Sequence, residues 1–457
     1  MVMGSLPEDV DLAVVGGGVG GYVAAIRAAQ LGLNVTIVEK DKMGGHCLNY
    51  ACIPSKTMIK VADIFYETQH SQKFGINVQG ASINANEMLN WRMDVSAKLE
   101  RGVEFLCKQN QIEIVKATAT FLSSNTLQLT NGTSLDFKKA LIATGSEPVV
   151  LKGFEFGGNV IDYKRALMLE SIPKSMAIVG AGYVAVEIGT LYAKLGSKVS
   201  IIARSDVLSR FDRDAVELVK KKLQELGAKV YTNATPASHD ASSVTLNSGE
   251  KIGAEVIVVA IGLVPYTGSL VLENTKVKLD KKGFVQVDSS MRTADPSILA
   301  LGDVVGEPML AHKAMRQGVI AGEVAAGQNS SYDNMVVPAV IFSDPEIAIA
   351  GVIEGEGISV TKFPLSALGR AIALDTTNGF VKIAYDKDQM VKGVEIVSDE
   401  ASSMISEAAL AIEMGATLED IAATIHPHPT YSEAVMEAAE GALGMPIHFF
   451  VPKKSSE

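Results

Sequence analysis

Two stretches of the chain have the residue pattern of a dinucleotide-binding βαβ unit. In the first, DLAVVGGGVGGYVAAIRAAQLGLNVTIVEK, an apolar strand leads into Gly16-x-Gly18-x-x-Gly21 and a helix, and a second strand ends on Glu39. Gly16 permits a tight turn, Gly18 lets the backbone approach a pyrophosphate, and Gly21 lets helix and strand pack closely. Glu39 is placed to accept hydrogen bonds from an adenosine ribose. The segment is therefore predicted to bind a dinucleotide.

The second stretch, SMAIVGAGYVAVEIGTLYAKLGSKVSIIARSD, repeats this pattern around Gly180-x-Gly182-x-x-Ala185. Its second strand ends near Arg204 instead of a carboxylate, and Arg210 follows shortly after. A carboxylate suits a free ribose 2′-hydroxyl, whereas guanidinium groups suit a 2′-phosphate. These arginines favour NADP over NAD at the second site. The alternative is that they are solvated loop charges.

A pair of cysteines, Cys47 and Cys52, lies between the two units in GGHCLNYACIPSK. The chain has only three cysteines, and the third, Cys107, lies on a predicted helix and is expected to pack in the core. Structural disulfides are uncommon inside cells, and no further Cys or His stands at zinc-ligand spacing. The pair is therefore predicted to be redox-active, with no metal site.

The composition excludes several classes of partner. The chain has 457 residues, 47% of them hydrophobic, and a formal net charge of -11. Nucleic acid and anionic membranes usually select basic surfaces, so neither is expected as a partner. No apolar run approaches the roughly 18 residues that cross a bilayer, and MVMGSLPEDV lacks the zones of a signal peptide. We expect a soluble, cytoplasmic protein.

The cysteine stretch resembles the redox motif of the flavin-dependent pyridine nucleotide-disulfide oxidoreductases. The resemblance extends from Asp11 to Ala439. Within that family, PMLAHKA, FSDPEIA and HPHPTYSEAVMEAA are most similar to the members that oxidise dihydrolipoamide. The resemblance implies that FAD occupies the first nucleotide site and NAD or NADP the second.

The resemblance also implies a role for each residue of the redox motif. Cys47 is expected to exchange with the substrate, and Cys52 to contact the flavin. Lys56 is expected near the flavin, where it would pair with Glu187 of the second nucleotide unit and stabilise the reduced cofactor.

Thiol chemistry needs a base, and histidine is suitable near neutral pH. Of seven histidines, only His428 is followed five residues later by an acid, Glu433. By resemblance this pair is the acid-base dyad, and it reaches the disulfide of a partner subunit. A homodimer is therefore implied. The neighbouring His426 is interpreted as shaping the turn.

Smaller segments complete the expected cofactor sites. By resemblance, ALIATGSEP and ILALGDVV border the flavin, and the backbone of KATATF contacts adenine. The residues expected to bind cofactor in these and adjoining segments are Ala119, Thr144, Gly145, Gly262, Asp303 and Ala311.

These assignments predict an α/β fold with two Rossmann-like nucleotide-binding domains, for FAD and NAD(P), and a C-terminal α+β interface domain. The expected boundaries are 1–147 for the FAD domain, 148–271 for the NAD(P) domain, 272–338 for a segment returning to FAD, and 339–457 for the interface domain. In the interface domain, apolar and polar residues alternate along GFVKIAYDKDQMVKGVEIVS, as they do in a sheet. In EASSMISEAALAIEMG the apolar residues recur at helical spacing.

The chain departs from the family pattern at several positions. His46 replaces the small hydroxyl residue that usually precedes the first cysteine, and an imidazolium there would lower the pKa of the Cys47 thiol. Leu263 and Tyr266 stand where relatives usually carry arginine and asparagine. Arg204 departs from the acid of NAD-linked members.

Three functions are consistent with these observations. The leading one is oxidation of dihydrolipoamide, carried on lipoyl domains of a 2-oxo acid dehydrogenase complex, with NAD(P)+ as acceptor. The second is NADPH-dependent reduction of a low-molecular-weight disulfide. The third is a flavoprotein scaffold without turnover, which the cysteine pair and the dyad disfavour.

Overall fold

The computed structural model describes residues 10–450. The predicted lack of a signal peptide concerns the first residues of the chain, most of which lie outside that range. The strands are β1 (Val10–Val15), β2 (Val35–Glu39), β3 (Glu113–Lys116), β4 (Ala119–Ser123), β5 (Thr126–Leu129), β6 (Ser134–Ile142), β7 (Ser146–Pro148), β8 (Val160–Ile161), β9 (Ser175–Val179), β10 (Lys198–Ile202), β11 (Lys229–Tyr231), β12 (Pro236–His239), β13 (Ser243–Leu246), β14 (Lys251–Gly253), β15 (Val256–Val259), β16 (Leu263–Pro265), β17 (Ile298–Ala300), β18 (Ala339–Ile341), β19 (Glu346–Gly351), β20 (Ser359–Pro364), β21 (Phe380–Tyr385) and β22 (Val391–Ser398).

The α-helices vary widely in length, from a single turn to 25 residues. They are α1 (Val19–Gln30), α2 (Gly45–Asn49), α3 (Cys52–His70), α4 (Ala85–Gln109), α5 (Tyr163–Ala166), α6 (Tyr183–Lys194), α7 (Arg213–Glu225), α8 (Ala311–Ala325), α9 (Gly369–Leu374), α10 (Ala401–Met414), α11 (Leu418–Ala422) and α12 (Glu433–Ala442). Within residues 10–450, no helix is both long and apolar enough to cross a membrane.

The chain divides into two compact units. The first contains the described residues up to Lys174 together with Ser238–Ser242 and Glu255–Asp333. The second contains Ser175–Ala237, Ser243–Ala254 and the described residues from Asn334 onward. The finer division into four segments stays a prediction.

The first unit is built on a seven-stranded sheet. Its order is β3-β2-β1-β6-β5-β4, and β17 also pairs with β6. Strands β3, β2, β1, β6 and β17 pair in parallel, and β1 is buried along almost its whole length, as strands covered on both faces are. Because β1 and β2 both end at the carboxyl edge of this sheet, Gly16 and Glu39 come to the same place.

Helices α1 and α8 of the first unit pack backbone to backbone. A Cβ atom built on Gly318 would lie 2.7 Å from the Gly20 carbonyl oxygen, so only glycine permits this approach. Helices α3 and α4 also pack against each other. Helix α3 begins with the second cysteine, and α4 has a long buried face.

The second unit contains the parallel strands β9, β10 and β11 and a five-stranded antiparallel sheet in the order β18-β19-β22-β21-β20. Helices α10 and α12 share a hydrophobic core with this sheet. The sheet and helix predicted from sequence in this region are confirmed. One face of α10 packs on the sheet through Met404 and Ala408, whereas Leu410 and Met414 are exposed.

Candidate active site

The two cysteines lie on either side of a break between two helices. Cys47 belongs to α2, and Cys52 is the first residue of α3. The backbone N–H groups of Tyr50 and Ala51 both donate to the His46 carbonyl at 2.8 Å, which ends α2. In an unbroken helix, residues five apart lie about 7.5 Å apart along the axis. That is beyond the roughly 7 Å between Cα atoms that a disulfide spans, so the break is what lets the sulfurs meet.

Cys47 and Cys52 are partly buried thiols in hydrogen-bond contact. The hydrogen bond to Cys52, followed by burial, raises the pKa of the Cys47 thiol, while Lys56 acts to lower it. Two thiols in contact, with a lysine acting on one of them, suit reversible thiol-disulfide exchange.

His46, beside Cys47, is uncharged near neutral pH. Burial, together with the cations of Lys164 and Lys40, lowers the pKa of His46 to about 4. Its Nε2 lies 3.0 Å from Lys164 Nζ, so the neutral ring accepts a hydrogen bond from the ammonium group. The expectation that an imidazolium at this position acidifies Cys47 is wrong, because a half-buried ring beside two lysines does not hold a proton.

Three parts of the chain meet at the edge of the parallel sheet. They are the first glycine turn, Glu39 and the segment at Gly44 that leads to the cysteines. Gly16 has φ +109°, and a Cβ on Gly21 would lie 1.9 Å from the Gly16 carbonyl oxygen. The Gly17 N–H donates to Glu39 at 2.6 Å, and the backbone at Gly18 forms a bridge with Gly44. These contacts form a glycine-lined cradle with a carboxylate at its end, which fits the pyrophosphate and ribose of FAD.

A second group of residues predicted to lie near the flavin stands at the neighbouring strand ends. Asp303 accepts a hydrogen bond from Ser146 Oγ at 2.7 Å, and burial raises the pKa of its carboxyl group. Thr144 Oγ1 donates to the Tyr266 carbonyl at 2.7 Å, and the Tyr266 N–H donates to the Gly145 carbonyl at 3.0 Å. Sequence reasoning missed Ser146 and treated Tyr266 only as a departure from the family.

The other residues predicted to bind cofactor take these places. Ala119 is buried at the start of β4, and Ala311 begins α8. Gly262 has φ +131°, and its carbonyl accepts from the Val149 N–H at 3.1 Å. Cys107 is fully buried, as expected for a core thiol.

The second glycine turn lies in the second unit. Gly180 has φ +124° and donates to the Ile202 carbonyl at 3.0 Å, while Gly182 precedes α6 and Ala185 is buried within it. Beyond the end of β10, Arg204 and Arg210 are both exposed. Exposed guanidinium groups at this strand end are accessible to a nucleotide.

Glu187 of α6 is buried and accepts a hydrogen bond from the Phe342 N–H at 3.1 Å. The expected pairing of Glu187 with Lys56 stays a prediction.

The two residues of the predicted acid-base dyad, His428 and Glu433, are in contact. His428 Nδ1 lies 2.8 Å from Glu433 Oε1, and the Thr430 N–H donates to Glu433 Oε2 at 2.7 Å. Burial acts to raise the pKa of Glu433, but the bonds from Thr430 and His428 outweigh it and lower that pKa below its ordinary value. The His428 side chain is 77% exposed and that of Glu433 only 15%. An anchored carboxylate thus presents an imidazole outward, available to a partner molecule.

His426 has a different environment. Its side chain is 4% exposed, with Nε2 2.7 Å from Glu407 and Nδ1 2.8 Å from the Thr424 carbonyl. Both ring nitrogens are occupied within the chain, which fits the structural role predicted for this residue.

Comparison with known proteins agrees with this geometry. Residues 10–318 match the family described as pyridine nucleotide-disulphide oxidoreductase, and residues 337–439 match its dimerisation domain. The dihydrolipoyl dehydrogenase of Geobacillus stearothermophilus is 44% identical over 466 residues, covering 98% of this chain and 99% of the relative. Dihydrolipoyl dehydrogenase 2 of Haloarcula marismortui is 41% identical over 471 residues, covering 98% of this chain and 100% of the relative.

Among solved structures, LpdA from Mycobacterium tuberculosis superposes with a TM-score of 0.88 at 26% identity, covering 94% of this chain and 99% of that one. The HOCl-induced flavoprotein disulfide reductase RclA from Escherichia coli, at 24% identity and a TM-score of 0.85, covers 94% of this chain and 99% of its own and shares the fold. The cysteine pair, the two glycine turns and these matches lead to one conclusion: the chain belongs to the pyridine nucleotide-disulphide oxidoreductase family.

Proposed function

We propose that this chain oxidises dihydrolipoamide to lipoamide, with FAD as its resident cofactor and NAD(P)+ as the final acceptor. The observation that carries the proposal is the pair of contacting thiols, Cys47 and Cys52, on the two sides of a helix break. Relatives that match nearly the whole chain at 41–44% identity are named dihydrolipoyl dehydrogenases, and this supports the substrate.

The reaction uses the two cysteines and the dyad in sequence. With Cys47 and Cys52 joined as a disulfide, one substrate thiolate attacks the Cys47 sulfur, forming a mixed disulfide and releasing the Cys52 thiolate. The second substrate thiol then attacks the substrate sulfur of that mixed disulfide, which closes lipoamide and releases Cys47. His428 accepts the substrate's thiol proton, and Glu433 holds its tautomer and stabilises the resulting imidazolium.

The protein's contribution to cofactor binding follows from the cradle described above. Gly16, Gly18 and Gly21 would hold the pyrophosphate, Glu39 the ribose, and Asp303 the polar chain next to the flavin ring. FAD, when bound, supplies the two-electron chemistry that links the dithiol to the pyridine nucleotide. Lys56, one helical turn after Cys52, would place a cation close to that chemistry.

We propose that the pyridine nucleotide is NADP. The support is the exposure of Arg204 and Arg210 after β10, where a ribose-binding carboxylate is absent. Replacing Arg204 with glutamate is expected to lower kcat/KM for NADP+ by about tenfold or more, with a smaller change for NAD+. Equal losses for the two coenzymes would contradict this preference.

We propose a cytoplasmic homodimer that meets its substrate on the lipoyl domain of a 2-oxo acid dehydrogenase complex. The match of residues 337–439 to a dimerisation domain supports the dimer. The low cysteine content is typical of a reducing compartment.

The test is steady-state oxidation of dihydrolipoamide by the FAD-loaded protein, with NAD+ and NADP+ supplied separately. Rapid turnover by the unmodified protein and none by Cys47→Ser would establish the reaction. The same arginines favour a second candidate, NADPH-dependent reduction of a low-molecular-weight disulfide. Failure of dihydrolipoamide with both coenzymes, together with NADPH-dependent reduction of oxidised glutathione or cystine, would move the assignment there.

A further inference from the structure

The break between the two cysteines leaves a helix end without its usual partner. In a continuous helix the Asn49 carbonyl would accept from the Ile53 N–H, four residues later. The chain instead turns at Tyr50 and Ala51, and α3 starts anew at Cys52. The Asn49 carbonyl accepts instead from Arg92 Nη2, a side chain 43 residues away on α4. A guanidinium group thus caps the broken helix midway between the two thiols.

The side chain of Asn49 ties the same loop to its beginning. Its amide donates to the Met43 carbonyl at 2.9 Å and to the Gly45 carbonyl at 3.1 Å. Asn49 is 1% exposed. The bond from Arg92 therefore holds a residue that also fixes the entry to α2, so its effect reaches the whole segment that carries Cys47.

The position of Arg92 is energetically unfavourable for a charged side chain. The residue is 4% exposed, and burial lowers the pKa of its guanidinium. Within residues 10–450, three buried polar atoms at this place have no hydrogen-bond partner: Arg92 Nε, Asn49 Oδ1 and Ser96 Oγ. A buried charge with so few bonds contributes little net stability, and an apolar side chain of similar volume often serves the fold as well. Stability therefore does not explain Arg92, whereas the bond to Asn49 does.

The groups whose charges act on the Cys47 thiol include Cys52, Lys56 and Asp303. The contact that Arg92 makes is with the backbone between the cysteines.

We propose that Arg92 is a positioning residue of the redox pair, which keeps the helix break closed around Asn49 so that the sulfurs of Cys47 and Cys52 remain within bonding distance. The inference rests on the proposed thiol-disulfide function and applies to any dithiol or disulfide substrate.

The test compares Arg92→Met, Arg92→Lys and a matched control, Arg101→Met, an exposed arginine on the same helix. Three quantities are measured on FAD-loaded protein of each variant. They are the flavin-thiolate charge-transfer absorbance after two-electron reduction with dithionite, dihydrolipoamide turnover, and NAD(P)H-dependent reduction of a quinone that takes electrons directly from the flavin.

Arg92→Met is expected to lose most of the charge-transfer absorbance and to slow dihydrolipoamide turnover by about tenfold or more, because small misplacements of reacting groups are costly. Quinone reduction should stay within about twofold, since it bypasses the disulfide. Arg92→Lys, which keeps a donor but has no planar fork, should recover part of the loss. Arg101→Met should behave like the unmodified protein.

Two results would overturn the proposal. One is an Arg92→Met protein with a lowered melting temperature but unchanged charge-transfer absorbance and turnover per bound FAD, which would make the residue merely structural. The other is an equal loss in all three quantities. If Arg92→Met does not fold, the same readouts on Arg92→Lys decide. If the unmodified protein shows the charge-transfer absorbance without oxidising dihydrolipoamide, only the proposed substrate fails, and the absorbance still tests Arg92.

Discussion

At the scale of single residues, the pair of His428 and Glu433 shows how a surface histidine is held in one orientation. Glu433 is anchored by the Thr430 N–H and holds one nitrogen of the exposed His428 ring, so the other nitrogen faces outward. The carboxylate also stabilises the charged ring that forms when a proton is taken up.

Replacing His428 with glutamine is expected to lower kcat for dihydrolipoamide by roughly 10² to 10⁴, the usual contribution of a general base. Glu433→Gln should cause a smaller loss. His70→Gln, an exposed histidine of α3, is the control and should leave kcat unchanged. Quinone reduction by the same variants separates the thiol step from flavin chemistry; a parallel loss there would argue against the assigned role.

His46 gives a prediction of no effect. Because burial lowers its pKa to about 4, the ring is neutral through the range in which thiols are titrated. The pH profile for alkylation of Cys47 in the reduced enzyme should therefore be the same in His46→Thr. A thiol that titrates at clearly higher pH in this variant would show that the ring carries charge after all.

At the scale of elements, the close approach of α1 to the first glycine turn depends on one missing methyl group. A Cβ on Gly21 would lie 1.9 Å from the Gly16 carbonyl oxygen, whereas one on Gly102 of α4 would meet open space. Gly21→Ala should therefore release FAD, measured as the flavin-to-protein ratio after gel filtration. Gly102→Ala should retain FAD and gain up to about 1 kcal/mol in the free energy of unfolding, because alanine favours helix. Full FAD retention by Gly21→Ala would contradict this account of the turn.

The antiparallel sheet of the second unit carries a buried acid on its central strand. Glu395 of β22 is fully buried opposite Lys382 of β21, but Lys382 bonds Asp212 at 2.8 Å and Asp214 at 3.1 Å. Neither Glu395 oxygen has a hydrogen-bond partner in the part of the chain that the structure describes. Burial, together with the nearby aspartates, raises the pKa of Glu395 to about 8.

This raised pKa predicts how stability depends on pH. The folded chain keeps the Glu395 proton up to about pH 8, whereas the unfolded chain loses it near the ordinary value of 4.5. The contribution to stability is full below that lower value and is lost as pH rises towards 8. Glu395→Gln should therefore raise the melting temperature more at pH 8.5 than at pH 5. Glu356→Gln, at an exposed position, should show no such trend; equal shifts at both pH values for Glu395→Gln would contradict the prediction.

At the scale of the whole molecule, the proposed dimer predicts that the two halves of the site come from different chains. Mixed dimers of Cys47→Ser and His428→Gln subunits would then contain one complete site of two. Random exchange should restore about a quarter of the unmodified activity, since half of the dimers are mixed. The measurement is turnover after the two inactive homodimers are mixed under conditions of subunit exchange. No recovery despite proven exchange would place both groups of a site in one chain.

Much of the site was predictable because its chemistry is encoded in short segments. The spacing of Gly16, Gly18 and Gly21, the pair Cys47 and Cys52, and the pair His428 and Glu433 each lie within one turn or helix start, where local geometry follows from sequence. Arg92 and Ser146 were not predicted. Arg92 meets Asn49 across 43 residues and Ser146 meets Asp303 across 157, and no local pattern marks such partners.

The sequence by itself therefore determined where the two glycine turns, the cysteine pair and the pair of His428 and Glu433 lie, since each depends on residues close together along the chain. Only the tertiary structure decided the charge of His46 and the cap on the helix break. Burial and the lysines around His46 keep its ring neutral, and the donor to the Asn49 carbonyl comes from another helix. Both are consequences of packing, which removes water from a group and supplies partners that are distant in sequence.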